Sequence, residues 1–406
     1  MKGIAGLTGT VKHYDWGGTH LIPSLLQVDN KEQQPFAEYW LGVHPLADGI
    51  VEDGTGGTAI LKDIISNNKE QTLGERVNKQ FGNLPYLLKA MDVKDMLSIQ
   101  VHPSKKGAEE EFAKENAAGI PLTAGNRNYK DNNHKPELAM ALSDFWLLHG
   151  FKSEVELLKI FEQVKELGGL KALFQLGGYE ALYSKVMTMP QEEVDKLLSP
   201  LVSRIIPLYK EGKLDRSKED FWAARAALTY SQNNHIDRGI FSVYFFNVLH
   251  LKKGQAIFQD AGIPHAYLEG PNMEIMANSD NVLRGGLTTK HIDVKELLKH
   301  VKCEATKYEI LKGEWHGLER IYPTKAPDFQ LSSFELDPSE KANFTAGTTE
   351  ILLLTEGEVT LTNGTDSIRL LLGKPSAVVF AGQKVQLEAH TKSAVYRATV
   401  PVHNGE

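Results

Sequence analysis

Four residues have the chemistry to hold a metal ion: Gln100, His102, Glu137 and His265. Ser98-Ile99-Gln100-Val101-His102-Pro103 reads as a strand, because β-branched Ile99 and Val101 alternate with polar residues. Residues two apart in a strand share a face. Ser98, Gln100 and His102 then point one way, and an amide oxygen beside an imidazole can bind a cation. Taken alone, the segment reads more readily as a half-exposed strand with a polar face. The wider grouping argues for a site. Glu137 opens an apolar strand, Leu138 to Leu142, and His265 follows Gly262 and Pro264 in a tight turn. Imidazoles with carboxylate and carbonyl oxygens suit zinc, and also suit iron or manganese. Spacings of 35 and 128 residues between ligand groups imply a site assembled by the fold rather than a local staple. Lys89, Lys135, Arg284 and Lys290 accompany these residues in sequence. Arg as a fork and Lys as a point charge can receive a phosphate. No glycine-rich nucleotide loop is present.

The elements that must position these groups fall into blocks. Residues 1–150 read as strands and loops with short helices, among them Thr58 to Ser66 and Ala108 to Asn116. Pro85 to Ala90 reads as a strand. Near residue 152 the period changes. Ser153-Glu154-Val155-Glu156 is a capping box, and Leu157, Phe161, Val164 and Leu167 follow at helical spacing. Glu180 to Met187, Gln191 to Leu198 and Glu219 to Gln232 are further helices, with Pro200 and Pro207 bracketing a short apolar segment. This block, 152–238, reads as a helical insertion whose charges form a solvated face. Strand character returns over Ile240 to Leu249. Asp293 to His300 reads as a short helix, and strands and turns follow from about residue 320. Gly254 to His265 and Gly373 to Val385 share a glycine turn, a strand and an Ala-Gly turn. That recurrence suggests two β-barrel modules of related plan, the second with Val385 where the first has His265.

The bulk composition sets outer bounds. A chain of 406 residues accommodates two or three domains. With 41% hydrophobic and 24% charged residues it is an ordinary globular composition. A net charge of −7 offers no overall basic field for nucleic acid or a membrane surface. The single cysteine, Cys303, excludes an internal disulfide and fits a reducing compartment. No signal-peptide core and no membrane-length apolar run is seen, so a cytoplasmic protein is expected.

Tyr129-Lys-Asp-Asn-Asn-His-Lys-Pro-Glu137 and the stretch from His265 through Glu274 to Arg284-Gly-Gly-Leu-Thr-Thr-Lys290 resemble the two signatures of the type I mannose-6-phosphate isomerases. Ser98 to Pro103, Ala37 to His44 and Tyr14-Asp-Trp-Gly17 match further segments of that family in order. The resemblance implies a mainly β protein with a helical insertion (α+β), built from two cupin (jelly-roll barrel) modules. Residues 1–151 with 239–319 would form the catalytic cupin, 152–238 the inserted helical domain, and 320–406 a second cupin without metal ligands. It implies one zinc ion on Gln100, His102, Glu137 and His265, and an essential arginine at Arg284. Gly285 and Thr289 stand where the family usually has alanine and proline, and Gln255 where glutamate is common. Loss of that proline is expected to loosen the loop carrying Lys290.

The implied activity interconverts mannose 6-phosphate and fructose 6-phosphate by moving a proton between C1 and C2 through an enediol. Such chemistry needs a base beside a carbonyl and stabilisation of an oxyanion. Arg284, Glu274 and Lys135 are the expected catalytic residues. Glu274 serves as base or as a partner of a ligand, with His44 a second candidate base. Trp16, Lys89, Ser98, Tyr267 and Lys290 are expected to bind a small sugar phosphate. A monomer without nucleic-acid or membrane partners is expected. A metal-dependent cupin oxygenase and a non-catalytic sugar-phosphate sensor are the competing readings.

Overall fold

The computed structural model describes residues 2–52, 56–232 and 235–402. Its organising element is the strand His265–Ala277, which is buried along nearly its whole length. It pairs antiparallel with Tyr86–Val93, with Glu137–Ala141 and with Phe145–Phe151, and His265 itself opposes Gln100. One strand can serve so many neighbours because it bends midway. Gly270 has φ of +118°, and a Cβ there would lie 2.2 Å from the Asp144 carbonyl oxygen, so only glycine fits the bend.

The sheet around this strand has ten strands. A nine-stranded and a four-stranded sheet contain the C-terminal strands. The N-terminal strand Ile4–Thr8 pairs with Ser376–Val379 on one edge and with Ile50–Glu52 on the other. The two ends of the chain are thereby stitched together. The glycine turns that suggested an internal repeat share one conformation: φ is +78° at Gly254, +79° at Gly262, +92° at Gly373 and +79° at Gly382. Val385 packs in an apolar cluster with Leu387 and Phe344, whereas His265 faces polar groups.

Helices cover one side. Ser153 caps Glu154–Gln163 as the sequence predicts, with its hydroxyl and the Glu156 carboxylate each taking a backbone N–H. Lys171–Thr188, Gln191–Lys210 and Glu219–Tyr230 complete the bundle. Trp222, Leu198 and Leu201 share one core cluster with Ile99 and Val101. The apolar face of the Gln100 segment is thus continuous with the bundle core. Each such buried aliphatic side chain stabilises by roughly 1.5–3 kcal/mol.

Several elements differ from the sequence reading. Gln191–Lys210 is one helix that runs through Pro200 and Pro207. Val194, Leu198, Leu201 and Ile205 form a buried stripe that continues across Pro200. Both prolines lie on the exposed face, where the carbonyls of exposed Lys196 and Ser203, left without helical partners, meet water. Ile240 to Phe245 is helical, and the strand is confined to Phe246–Leu251. Every residue of Gly239–Phe245 is buried, so its apolar run carries no amphipathic period to tell helix from strand. Thr58–Ile60 is an edge strand on Ile50–Glu52, and the helix begins at Leu61. In the Ser98–His102 segment only Gln100–Val101 is laddered. The insertion's charges are not all solvated: Arg225 is mostly buried and ion-paired to Asp95 and Glu269.

Candidate metal centre and its cleft

The sheet register alone brings three candidate residues side by side. Gln100 opposes His265 on one edge and Arg284 on the other. Directly opposed residues in antiparallel strands hold their Cβ atoms about 5 Å apart. A second rung aligns Trp40, Lys89 and Glu274. Strand pairing, not loop conformation, sets these spacings.

Ligand-type atoms of His102, Glu137 and His265 all lie within 4.8 Å of one another, and all three residues are buried. His102 Nε2 is 3.5 Å from Glu137 Oε1, and His265 Nε2 is 3.2 Å from Glu137 Oε2. The opposite ring nitrogens are tied down. His102 Nδ1 donates to the Asn281 carbonyl at 2.8 Å, and His265 Nδ1 to that of Ile263 at 3.0 Å. Each ring is thereby set to the tautomer whose Nε2 lone pair faces the cluster, the usual preparation of a histidine ligand. His102 Nε2 is a buried polar atom with no hydrogen-bond partner. An orphaned lone pair beside a second imidazole and a carboxylate is what a bound cation satisfies. The residues fit a metal.

Asn281 is itself locked by polar contacts. Its side chain accepts from the backbone N–H of Lys130 and donates to the carbonyls of Asp131 and Asn133. Asp131 in turn accepts from the Ser279 hydroxyl and the Asp280 N–H. The segment before Glu137 and the loop after Ala277 therefore hold His102 jointly.

Burial would raise the Glu137 pKa, but Lys135 at 3.0 Å and the two imidazoles hold it well below the ordinary range. Burial pushes His102 down, towards the neutral form that ligates. Lys89 is buried too. Burial would lower its pKa, yet the carboxylates of Glu274, Glu38 and Glu137 outweigh that and hold the ammonium charged.

Glu137 and His265 open onto a cavity of ≈ 60 Å³ that Gln100, Lys135, Tyr267 and Glu274 also line. This communicates, through shared walls at Glu38, Lys89 and Gln100, with a cleft of ≈ 590 Å³. The cleft is of the size that takes small molecules. Trp16, Ser98, Arg284 and Lys290 line it. Burial lowers the pKa of Arg284, and burial together with Arg284 lowers that of Lys290. Among the described residues neither cation has a carboxylate partner, so both stand unpaired in a cleft whose other walls carry Asp15, Glu38, Asp95 and Asp280.

Glu274 receives Lys89 Nζ at 2.9 Å on one oxygen and the Tyr267 hydroxyl at 2.8 Å on the other. Lys89 also sits 4.9 Å over the Trp40 ring. His44 stands apart. Its Nδ1 accepts the Leu46 N–H at 3.2 Å, which leaves the proton on Nε2, 3.4 Å from Asp280. It lines neither cavity. Beside Thr289, the Lys290 N–H donates to Thr288 Oγ1 at 3.1 Å.

Sequence reasoning missed Glu38, Asp280 and Tyr230, all of which line the cleft. Glu38 accepts from the Trp40 indole N–H, and burial, with Glu274 nearby, raises its pKa. A lone acid inside the apolar run Ala37 to Gly42 was the available signal. Tyr230 reaches the cleft from the helical insertion and donates to the Met96 carbonyl; no sequence period marks it.

Comparison with known proteins agrees with this geometry. Residues 4–154 match the family described as phosphomannose isomerase type I, catalytic domain. The mannose-6-phosphate isomerase of Escherichia coli is 36% identical over 397 residues, spanning 96% of this chain and 98% of that protein. Its human counterpart is 32% identical over 407 residues, spanning 93% and 92%. The crystal structure of the Salmonella typhimurium enzyme bound to substrate and a zinc atom superposes with a TM-score of 0.87 at 32% identity, covering 99% of this chain and 100% of that one. A zinc-bound holo structure of mannose 6-phosphate isomerase gives a TM-score of 0.88 with the same identity and coverage. The chain belongs to the type I phosphomannose isomerase family.

Proposed function

We propose that this chain is a zinc-dependent aldose-ketose isomerase that interconverts mannose 6-phosphate and fructose 6-phosphate. The observation that carries the reading is the buried His102–Glu137–His265 cluster, with an orphaned imidazole nitrogen, at the floor of a cleft walled by Arg284 and Lys290. Gln100, between His265 and Arg284, completes the ligand set with its amide oxygen. Zinc held there supplies Lewis-acid polarisation of sugar oxygens.

The chain's own residues supply the rest. Lys290 and Arg284 receive the anionic end of the substrate, and Arg284, next to Gln100, also faces negative charge that develops at the reacting carbons. Trp16 and Ser98 bound the sugar. Lys135 stays on Glu137 and keeps it ionised. Glu274, held in place by Lys89 and Tyr267, takes the proton from one carbon and returns it to its neighbour. Glu274→Gln keeps its shape and one oxygen for Lys89 but cannot accept a proton. It is expected to lower kcat by at least about a hundredfold with metal content unchanged. A rise in KM at preserved kcat would instead make Glu274 the residue that holds Lys89.

A coupled assay for fructose 6-phosphate tests the function. Turnover should vanish on chelation and return with zinc. Absence of chelator-sensitive isomerisation would sink the proposal.

In this reading the chain works as a monomer in the cytoplasm, a reducing compartment that its free, half-buried Cys303 fits. Among the described residues no helix is long and apolar enough to cross a membrane. The catalytic module comprises residues 1–151 and 239–319, the helical insertion 152–238, and the second barrel 320–406. The glycine-turn recurrence supports the last division. Light scattering of the purified chain checks the monomer.

A further inference from the structure

The loop that carries Arg284 and Lys290 is held in an unfavourable backbone conformation. Leu287 has φ of +52°, in the left-handed region that a branched side chain disfavours, and it is fully buried. Gly286, with φ of +123°, precedes it. Such strain persists only where surrounding contacts over-determine it. The Ile99 backbone holds the start of the loop, taking the Gly285 N–H at 2.9 Å and donating to the Gly286 carbonyl at 3.0 Å, and the strained residue and its successor meet a single side chain. Asp237 Oδ1 accepts the N–H of Leu287 at 2.8 Å and of Gly239 at 2.7 Å, and Oδ2 accepts the N–H of Thr288 at 3.2 Å. Two consecutive amides of the strained loop thus converge on one carboxylate. The two backbones touch at paired glycines: a Cβ on Gly286 would lie 2.4 Å from Gly239 Cα, and one on Gly239 would lie 2.6 Å from Leu287 N.

Asp237 is anchored from behind. The Asp195 carboxylate, on the helix Gln191–Lys210, takes the His235 ring at 2.7 Å and the Ile236 N–H at 2.8 Å. Arg238 donates to the Met187 carbonyl on the preceding helix. The segment leaving the helical insertion is therefore fixed to the bundle before it reaches the loop.

We infer that Asp237 is a positioning residue. It latches the Arg284–Lys290 loop to the helical insertion in the one backbone arrangement that turns both cations into the cleft. The inference rests on the reading that these cations receive the substrate's anion. It adds a task for the insertion, which otherwise contributes Thr229 and Tyr230 to the cleft wall. A carboxylate with two oxygens suits the task, because hydrogen bonds to a charged acceptor are stronger than neutral ones.

The test compares the zinc-loaded full chain with Asp237→Ala and Asp237→Asn, the second an isosteric change that keeps the fold if the first does not. Two measurements are made on each. Hydrogen exchange of the segment spanning 284–290 reads the latch itself. Steady-state kinetics, with inorganic phosphate as a competing anion, read its consequence. Faster exchange in that segment, with KM and the phosphate inhibition constant each raised on the order of tenfold and zinc content unchanged, is the expected result. Unchanged exchange overturns the latch, whatever the kinetics. Faster exchange with unaltered KM and phosphate inhibition overturns the positioning role, and locates the failure in the assignment of Arg284 and Lys290 to the anion. A loss of kcat alone, in proportion to lost zinc, overturns it as well.

Discussion

Glu137→Gln is expected to bring turnover to background and to weaken zinc binding at the same time. The substitution is nearly isosteric, so its effects are electrostatic. Glu137 faces both imidazoles and the Lys135 ammonium, all buried or nearly so. Neutralising it removes an anionic ligand and leaves Lys135 without its carboxylate. Breaking one partner of a buried pair costs about 3–5 kcal/mol, so the metal-free variant should melt markedly below the unsubstituted chain. Loss of the Lewis acid forfeits several kcal/mol of transition-state stabilisation, a drop on the order of a thousandfold or more in kcat. Zinc content by atomic absorption, melting temperature and the coupled assay check the three parts. A variant that keeps its zinc and its rate would remove Glu137 from the centre.

Arg284→Ala is expected to act with the opposite signature: zinc retained, melting little changed and catalysis severely reduced. Arg284 shares a rung with Gln100, lines the cleft, and has no carboxylate partner among the described residues. Removing an unpaired cation strands no buried counter-charge, so the folded protein loses little. In the proposed mechanism the reaction loses the group that faces its developing negative charge. Removal of one such stabiliser typically costs about 10²–10³ in rate. Arg284→Lys restores charge but not the planar fork and should recover only part of the loss. Full turnover by the alanine variant would exclude the assigned role.

Much of the site was legible because its residues sit in short, chemically distinctive segments. Gln100 with His102, Lys135 with Glu137, and Glu274 with Arg284 each lie close in sequence, and each pair reaches the same site. Local structure was legible where side-chain period and caps agree, as at the Ser153 capping box. It was not legible where burial is total. Gly239–Phe245 packs on every side, and only its neighbours decide that it is helical. Pro200 and Pro207 argue locally for breaks, yet the buried stripe from Val194 to Ile205 outweighs them. His44 ends a segment that matches the family, and only the tertiary structure places it outside both cavities, with the Leu46 N–H on its Nδ1.

The sequence by itself determined the candidate donors: which residues can bind a cation, that a lone cysteine implies no thiolate, and that local basic groups accompany an acidic chain. Residue chemistry does not depend on fold, so these statements needed no coordinates. The tertiary structure decided direction and pairing. It turned the Nε2 atoms of His102 and His265 towards Glu137, by hydrogen bonds from their Nδ1 atoms to carbonyls far away in sequence or fixed by a turn. Among the described residues it left Arg284 and Lys290 without carboxylate partners, and it brought Asp237 from the end of the helical insertion onto the loop between them. Such facts depend on contacts between segments tens to hundreds of residues apart, and no local pattern in the chain encodes which partner a charged or polar side chain will meet.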